Sequence, residues 1–224
     1  MKTNIEICID SCSGIDAAVE GGADRIELCS SLECCGLTPS LEVLKHASEC
    51  GIQVRSMIRP RKGDFVYSSE ELKKMLSDID MARSFNIEGV VFGAILSNGS
   101  LDQDLLEELI SYSVGLKKTL HRVVDTMAKT QDSVQTGTEL GFDTILSSGG
   151  KNTALEGLSV LTEMHKLASG KINIMPGSGV NSKNVKQVLK YCHFDWVHSS
   201  CSIEKNGYKL TDVQLIKDLK NAIN

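Results

Sequence analysis

No Cys-x-x-Cys occurs in the 224 residues, although the chain carries eight cysteines, at positions 8, 12, 29, 34, 35, 50, 192 and 201. That absence removes the usual support for a zinc ribbon or a thioredoxin-type redox motif. There is no run of Lys and Arg either, and the net charge is -5, which argues against nonspecific nucleic-acid binding. The longest apolar run, Gly89 to Leu96, is far short of the ~20 residues that cross a bilayer, so no membrane partner is expected. The first residues meet Glu6 and Asp10 too soon to hold the apolar core of a signal peptide. Gly-x-Gly-x-x-Gly is missing after the first strand, and no composition shift divides the chain. These absences predict a single soluble domain over 1–224, cytoplasmic, whose thiols are reduced and mostly core filler.

What is present is a recurring layout. Gly21-Gly22-Ala23-Asp24-Arg25-Ile26-Glu27-Leu28-Cys29-Ser30-Ser31 reads as a helix end, a glycine turn and a short strand running into two hydroxyls. It returns at Gly141 to Ser148 and at His193 to Ser200, and more loosely around Glu88. The acidic cues fall at Asp24, Glu88, Asp143 and Asp195, and each gap is about twice a compact βα unit. One further strand is therefore expected in each gap: Gln53–Arg59, Lys118–Val123 and Lys171–Met175. With Ile5–Asp10 at the start the count is eight. Capping boxes at Ser68–Glu71 and Thr153–Glu156 predict helices between the strands, as does Pro39 at a first helical position. Eight strands alternating with helices predict an α/β fold, a (β/α)8 TIM barrel.

Working residues in such barrels lie at the carboxyl ends of the strands. Period-two counting turns Glu6, Cys8 and Asp10 inward, opposite Ile5, Ile7 and Ile9. It does the same for Glu27 and Cys29, for Met57 and Arg59, and for His121 and His198. Unpaired buried charge is costly, so this set reads either as a structural salt-bridge network or as a ligand or catalytic pocket. Glu27, His121 and His198 are the acid–base candidates. Arg59, Arg61, Ser148, Gly149, Gly177, Gly179 and Ser199, with Glu6 and Asp10, are the candidates for holding a small anionic or phosphorylated ligand, because phosphate sites in these barrels often use the loops after strands seven and eight. Cys8 and Cys29 sit on sequential strands roughly 4.8 Å apart. They read either as two unrelated buried thiols or as soft ligands for Cu(I), with zinc open if a histidine joins them.

The runs Glu6-Ile7-Cys8-Ile9-Asp10-Ser11 and Gly21 to Ser30 resemble the amino-terminal signature of the CutC copper homeostasis proteins. So do Gly36 to Ser40, Met57-Ile58-Arg59-Pro60-Arg61 with Gly63-Asp64-Phe65, His121-Arg122 with Asp125, Ser148-Gly149-Gly150 and Ile174-Met175-Pro176-Gly177. The resemblance implies a TIM barrel, a cytosolic setting, a homo-oligomer (dimer or tetramer) and a copper role through Cu(I), with Cys8 and Cys29 as the matching thiols. The chain departs from the family where Cys34-Cys35 replace two glycines, a change that two L-residues accommodate less easily than glycine. Two functions follow as expectations: a Cu(I)-binding copper homeostasis protein, or an enzyme acting on a small anionic or phosphorylated metabolite at the carboxyl-terminal face. A scaffold with a purely structural polar interior is the third.

Overall fold

The computed structural model of the chain describes residues 2–85, 87–205 and 207–223, with Tyr208 by its backbone. Eight parallel strands form the wall: β1 (Asn4–Ile9), β2 (Arg25–Leu28), β3 (Gln53–Met57), β4 (Gly89–Phe92), β5 (Lys117–Leu120), β6 (Thr144–Ser147), β7 (Asn173–Pro176) and β8 (Trp196–Ser199). The hydrogen-bonded order runs β7-β6-β5-β4-β3-β2-β1-β8, so β7 and β8 flank the seam of a nearly closed barrel. Helices α1 (Cys12–Gly21), α2 (Leu41–Ser48), α3 (Ser69–Ser84), α4 (Gln103–Tyr112), α5 (Ser133–Leu140), α6 (Leu158–Ala168), α7 (Val185–Val188) and α8 (Val213–Ile223) follow the strands, and an antiparallel hairpin, β9 (Ser202–Lys205) and β10 (Tyr208–Thr211), precedes α8.

The recurring acidic cue has a structural cause. Asp24 Oδ2 accepts the Ile5 N–H at 2.9 Å, and Asp143 Oδ2 accepts the Lys118 N–H at 2.7 Å. Each carboxylate accepts the second amide of the preceding strand, next to a first amide taken by a backbone carbonyl, that of Asp195 for Asn4 and of Glu88 for Lys117, so neither ladder starts unpaired. Helix α1 is capped by Ser11 Oγ at one end and by Gly22, at φ 81, at the other. That left-handed residue is what the glycine turn provides.

Alternation then sorts the side chains. Ile5, Ile7 and Ile9 face the helices with Ile26, Leu28, Val90, Phe92, Ile145 and Val197 in one large apolar core. The opposite faces fill the barrel with polar groups: Glu6, Arg25, Glu27, Arg55, Thr119, Thr144 and His198 are all buried. Register sets Glu6 beside Arg25 on one side and His198 on the other, and Cys8 beside Glu27.

Some local expectations change. The Ser68–Glu71 capping box starts α3, but Thr153 Oγ1 accepts the Glu156 N–H within a turn, and α6 begins only at Leu158. Pro39 precedes the cap, since Ser40 caps α2. Strand β5 ends at Leu120 because His121 turns its ring back to accept the Val123 N–H and cap a short 3-10 turn. Cys35 adopts φ 67, so a cysteine does occupy the left-handed conformation that glycine would hold more cheaply.

Candidate functional site at the carboxyl end of the barrel

A chain of charge crosses the barrel interior. Arg25 Nε donates to Glu6 Oε2 at 2.5 Å while its guanidinium lies 3.7 Å over the Trp196 ring. The other oxygen, Glu6 Oε1, meets His198 Nδ1 at 2.8 Å. Burial pushes the Glu6 carboxyl up, but Arg25 and then His198 outweigh it and hold the group down at about 2. An ionised Glu6 can only accept, so Nδ1 carries a proton and Nε2 points onward. Nε2 lies 3.8 Å from Glu27 Oε2. One donor atom each from Cys8, Glu27 and His198 fall within 4.8 Å of one another.

Glu27 and His198 perturb each other as a pair. Burial, reinforced by Glu6 and opposed by His198, raises Glu27 to about 7. His198 stands well above the usual imidazole range, because Glu27, Cys8 and Glu6 together outweigh the cost of burial. Glu27 Oε1 is buried with no hydrogen-bond partner among the described residues. The trio offers sulfur, nitrogen and oxygen, a donor set that accommodates borderline and soft metal ions.

Above the trio opens a cavity of about 760 Å³, lined by Cys8, Glu27, His121, His198 and Ser199 and by the loops after β5 to β8. His121 Nδ1 accepts the Val123 N–H at 3.2 Å, so its proton sits on Nε2, which is buried without a partner. Burial, and then the nearby Arg59, press its pKa down to about 3. The ring is a neutral donor, not a titrating acid–base group near pH 7. Phe65 packs on it at 4.9 Å between centroids.

Of the residues singled out in the sequence, Cys8, Glu27, His121, His198, Gly179 and Ser199 line this cavity. Glu6 lies beneath it, as the partner of Arg25 and His198. Cys29 points elsewhere: its Sγ donates to Ile9 O at 3.4 Å, and the side chain packs with Met57, Val91 and Leu32. Burial, with Cys8 and Glu27 nearby, pushes the Cys29 thiol well up. Asp10 is half-buried at the end of β1, away from the lining. The cations expected to hold an anion are committed to other partners. Arg59 donates to the carbonyls of Cys34, Gly36 and Gly63 at 2.8, 3.1 and 2.8 Å, and Arg61 pairs with Glu71 and Asp64. These bonds pin the loops after β2 and β3 and leave neither guanidinium on the cavity wall.

Ser148 serves a carboxylate, while the Gly149 amide donates to Ser147 Oγ at 2.8 Å. Asp125 accepts from Ser147 Oγ, from the amide and hydroxyl of Ser148, from the Gly150 amide and from Arg122 Nε, at 2.6 to 3.1 Å. The amide nest after β6 is thus filled by the protein's own side chain. Gly149 backs onto Gly157 O, which a Cβ would meet at 2.4 Å; Gly177 leaves room for Leu146 and His198 at 2.5 and 3.3 Å. Both are packing glycines.

Arg25 and Arg55 share the period-two face of Glu27 and of Met57, so alternation alone places both inside the barrel. Arg55 Nη1 donates to Thr119 and Thr144 at 2.5 and 3.2 Å. Lys151 and Lys209, which line the cavity, carry no local signal in the sequence.

The CutC family model matches residues 3–203. A family protein CutC of Agrobacterium fabrum is 41% identical over 98% of this chain and 93% of its own length. The copper homeostasis protein cutC homolog of Caenorhabditis elegans is 36% identical, covering 96% of this chain and 87% of that one. The crystal structure of CutC from Streptococcus agalactiae superposes with a TM-score of 0.84 at 31% identity, over 89% of this chain and 99% of the other.

Proposed function

The chain belongs to the CutC family, and on that premise we propose that it serves copper homeostasis in the cytoplasm as a barrel that binds Cu(I) with Cys8 as the principal ligand. The observation that carries this reading is the convergence of Cys8, His198 and Glu27 within 4.8 Å at the ends of β1, β8 and β2. A thiolate and an imidazole suit a soft monovalent ion. Glu6 holds the second ring nitrogen of His198, the outer-shell carboxylate that orients a ligating imidazole. Cys29, whose Sγ donates to Ile9 O, is not one of the three converging donors and would have to turn from that bond to act as a second thiol. An anaerobic Cu(I) competition titration tests the reading. Cys8→Ser is expected to weaken binding by about a hundredfold and Cys29→Ser by less. Equal, weak binding by the wild type and the Cys8→Ser/Cys29→Ser double variant would end it, and tighter binding of Zn²⁺ than of Cu(I) would reassign the ion.

A second reading, an acid–base enzyme acting on a small metabolite, is favoured by one observation. The cavity measures about 760 Å³, the size of small-molecule sites and many times the ~30 Å³ share of a single water. Glu27, at about 7, is poised to give and take a proton near neutrality. His198, steered by Glu6, is its partner. Solvent-deuterium exchange into small phosphorylated carbonyl compounds, followed by proton NMR, tests this. Exchange should fall about 10²- to 10⁴-fold in Glu27→Gln, and an undiminished rate in that variant would remove the reading.

A further inference from the structure

Three thiols line the cavity, those of Cys8, Cys35 and Cys201, and each is held differently. Cys201 is buried and donates to Ser199 Oγ at 3.4 Å. Cys8 is half-buried on the floor, in the trio with His198 and Glu27, where Glu27 Oε1 has no hydrogen-bond partner among the described residues. Cys35 is exposed at the rim, and its Sγ makes no hydrogen bond to the described residues. Its neighbour Cys34 does not line the cavity, and the Cys34 Sγ donates to Ser31 O at 3.2 Å. The loop that carries Cys35 is fixed. Ser30 and Leu37 exchange backbone hydrogen bonds at 2.9 and 2.8 Å across its base, the Cys35 amide donates to Leu32 O, and Arg59 holds the Cys34 and Gly36 carbonyls on either side. A thiol fixed at the rim, with no bond to give up, is preorganised to take a soft ion.

The charge around the opening is a second, independent feature. Arg122, Lys151 and Lys209 line the cavity, and the carboxylates that line it are Glu27 on the floor and Asp125. Asp125 is already enclosed by Arg122, hydroxyls and amides. Lys151 and Lys209 are exposed and form no salt bridge with the described residues. The chain carries a net charge of -5, yet this opening is cationic, and such a field steers anions inward.

We infer that Cys35 is the entry thiol of the site: it takes Cu(I) from a small anionic thiol bearing carboxylates, drawn in by Lys151 and Lys209, and passes the ion down to Cys8. This rests on the copper reading and names the class of carrier that delivers to that site. In the first exchange the Cys35 thiol meets the carrier complex RS–Cu–SR⁻. One Cu–S bond forms as one breaks, and the Cys35 proton leaves on RSH. In the second, Cys8 displaces Cys35 in the same way and its proton returns to the Cys35 sulfur. Copper stays Cu(I) throughout, so no oxidant or reductant is required. The cysteine that stands at φ 67, where glycine is the easier residue, thereby acquires a task that glycine could not perform.

Anaerobic quenched-flow mixing of the full chain with Cu(I)–glutathione tests it. The reaction is stopped with N-ethylmaleimide and read thiol by thiol by mass spectrometry, since a copper-bound thiol resists alkylation. Cys35 should be protected before Cys8. Cys35→Ser should slow the protection of Cys8 by about tenfold or more, within the span over which on-rates of variants differ, and reach the same final extent. Cys35→Gly, which suits φ 67, should be as slow, so that the missing thiol and not the backbone is the cause. Cys34→Ser should load at the wild-type rate. Lys151→Ala with Lys209→Ala should slow loading from Cu(I)–glutathione by about tenfold and leave loading from the cationic Cu(I)–cysteamine complex no slower. Wild-type loading of Cys35→Ser, equal slowing by Cys34→Ser, or a lysine variant indifferent to the carrier overturns the proposal. Full protection of Cys8 at an unchanged rate in Cys35→Ser removes only the entry thiol, whereas no protection of any thiol in the wild type removes the copper reading itself.

Discussion

In the lower half of the barrel interior each charged side chain faces a partner. Arg25 meets Glu6, and Arg55 meets Thr119 and Thr144 through Nη1; Arg55 Nε and Glu88 Oε2 make no hydrogen bond but face each other as an ion pair at 3.9 Å. At the carboxyl end the residues have the same polarity and similar burial, yet Glu27 Oε1 and His121 Nε2 have no hydrogen-bond partner among the described residues. The difference separates a layer whose buried charges face opposite charges from one that leaves two buried polar atoms without a hydrogen bond. Burial in itself does not distinguish them; Glu6 is 0% exposed and Glu27 is 4% exposed. What distinguishes them is whether the described residues set an opposite charge or a hydrogen bond against each group, as they do below, or leave an atom without either, as they do for Glu27 Oε1 and His121 Nε2 above.

The largest expected effect tests the lower half. Arg25→Met leaves Glu6 buried with only His198 beside it, and breaking a buried pair from one side costs about 3–5 kcal/mol. Urea unfolding measures this, and a loss under ~1 kcal/mol would mean that the lower layer is no more structural than the upper.

An intermediate effect concerns pH. Glu27 has a pKa of 4.5 when unfolded and about 7 when folded, so folding takes up a proton between those values. Its contribution to stability is fully present below pH 4.5 and is lost as pH rises toward 7, by on the order of 3 kcal/mol. Glu6 runs the other way: at about 2 when folded, it contributes above pH 4.5 and loses that contribution as pH falls toward 2. Stability curves of the wild type and Glu27→Gln from pH 4 to 8 should diverge, the variant being relatively more stable at the alkaline end. Parallel curves would place Glu27 with the satisfied groups below.

The smallest effect sharpens the contrast. His121→Phe removes a donor that has no acceptor, at the expense of the Nδ1 acceptor of Val123 N–H. The two changes nearly cancel, and chemical denaturation should show a difference below about 1 kcal/mol. A loss of several kcal/mol would make His121 a structural residue like Arg25.

Much of the barrel was legible locally. The acidic cues at Asp24 and Asp143 marked strand starts because each carboxylate binds the second amide of the strand before it, a task that suits an acid at that turn. Glu88 and Asp195 marked their strands in the same places, although the shared contact there is a backbone carbonyl accepting from the next strand. Helix α5, Ser133–Leu140, was not predicted: its Ser, Thr and Gly are weak helix formers, and packing in the barrel overrides them. The β9–β10 hairpin was passed over despite the Asn-Gly at 206–207, which is a hairpin signal. At the site, alternation put Glu6, Cys8, Glu27 and His198 on inward faces. It did not say that His198 would join Cys8 and Glu27, or that Cys29 would turn to Ile9 O.

The order of the eight wall strands and the inward faces of β1, β2, β3 and β8 were written in the sequence, because strand alternation and the turn chemistry that ends a helix are set by residues within a few positions of one another. Which buried polar groups are satisfied was decided only by the closed barrel. Glu6 and His198 are 192 residues apart and meet across neighbouring strands, and Asp125 folds back onto the amides of Ser148 and Gly150 after β6, more than twenty residues away. A hydrogen bond depends on where two groups end up within an ångström, and that distance is set by the whole wall rather than by either strand.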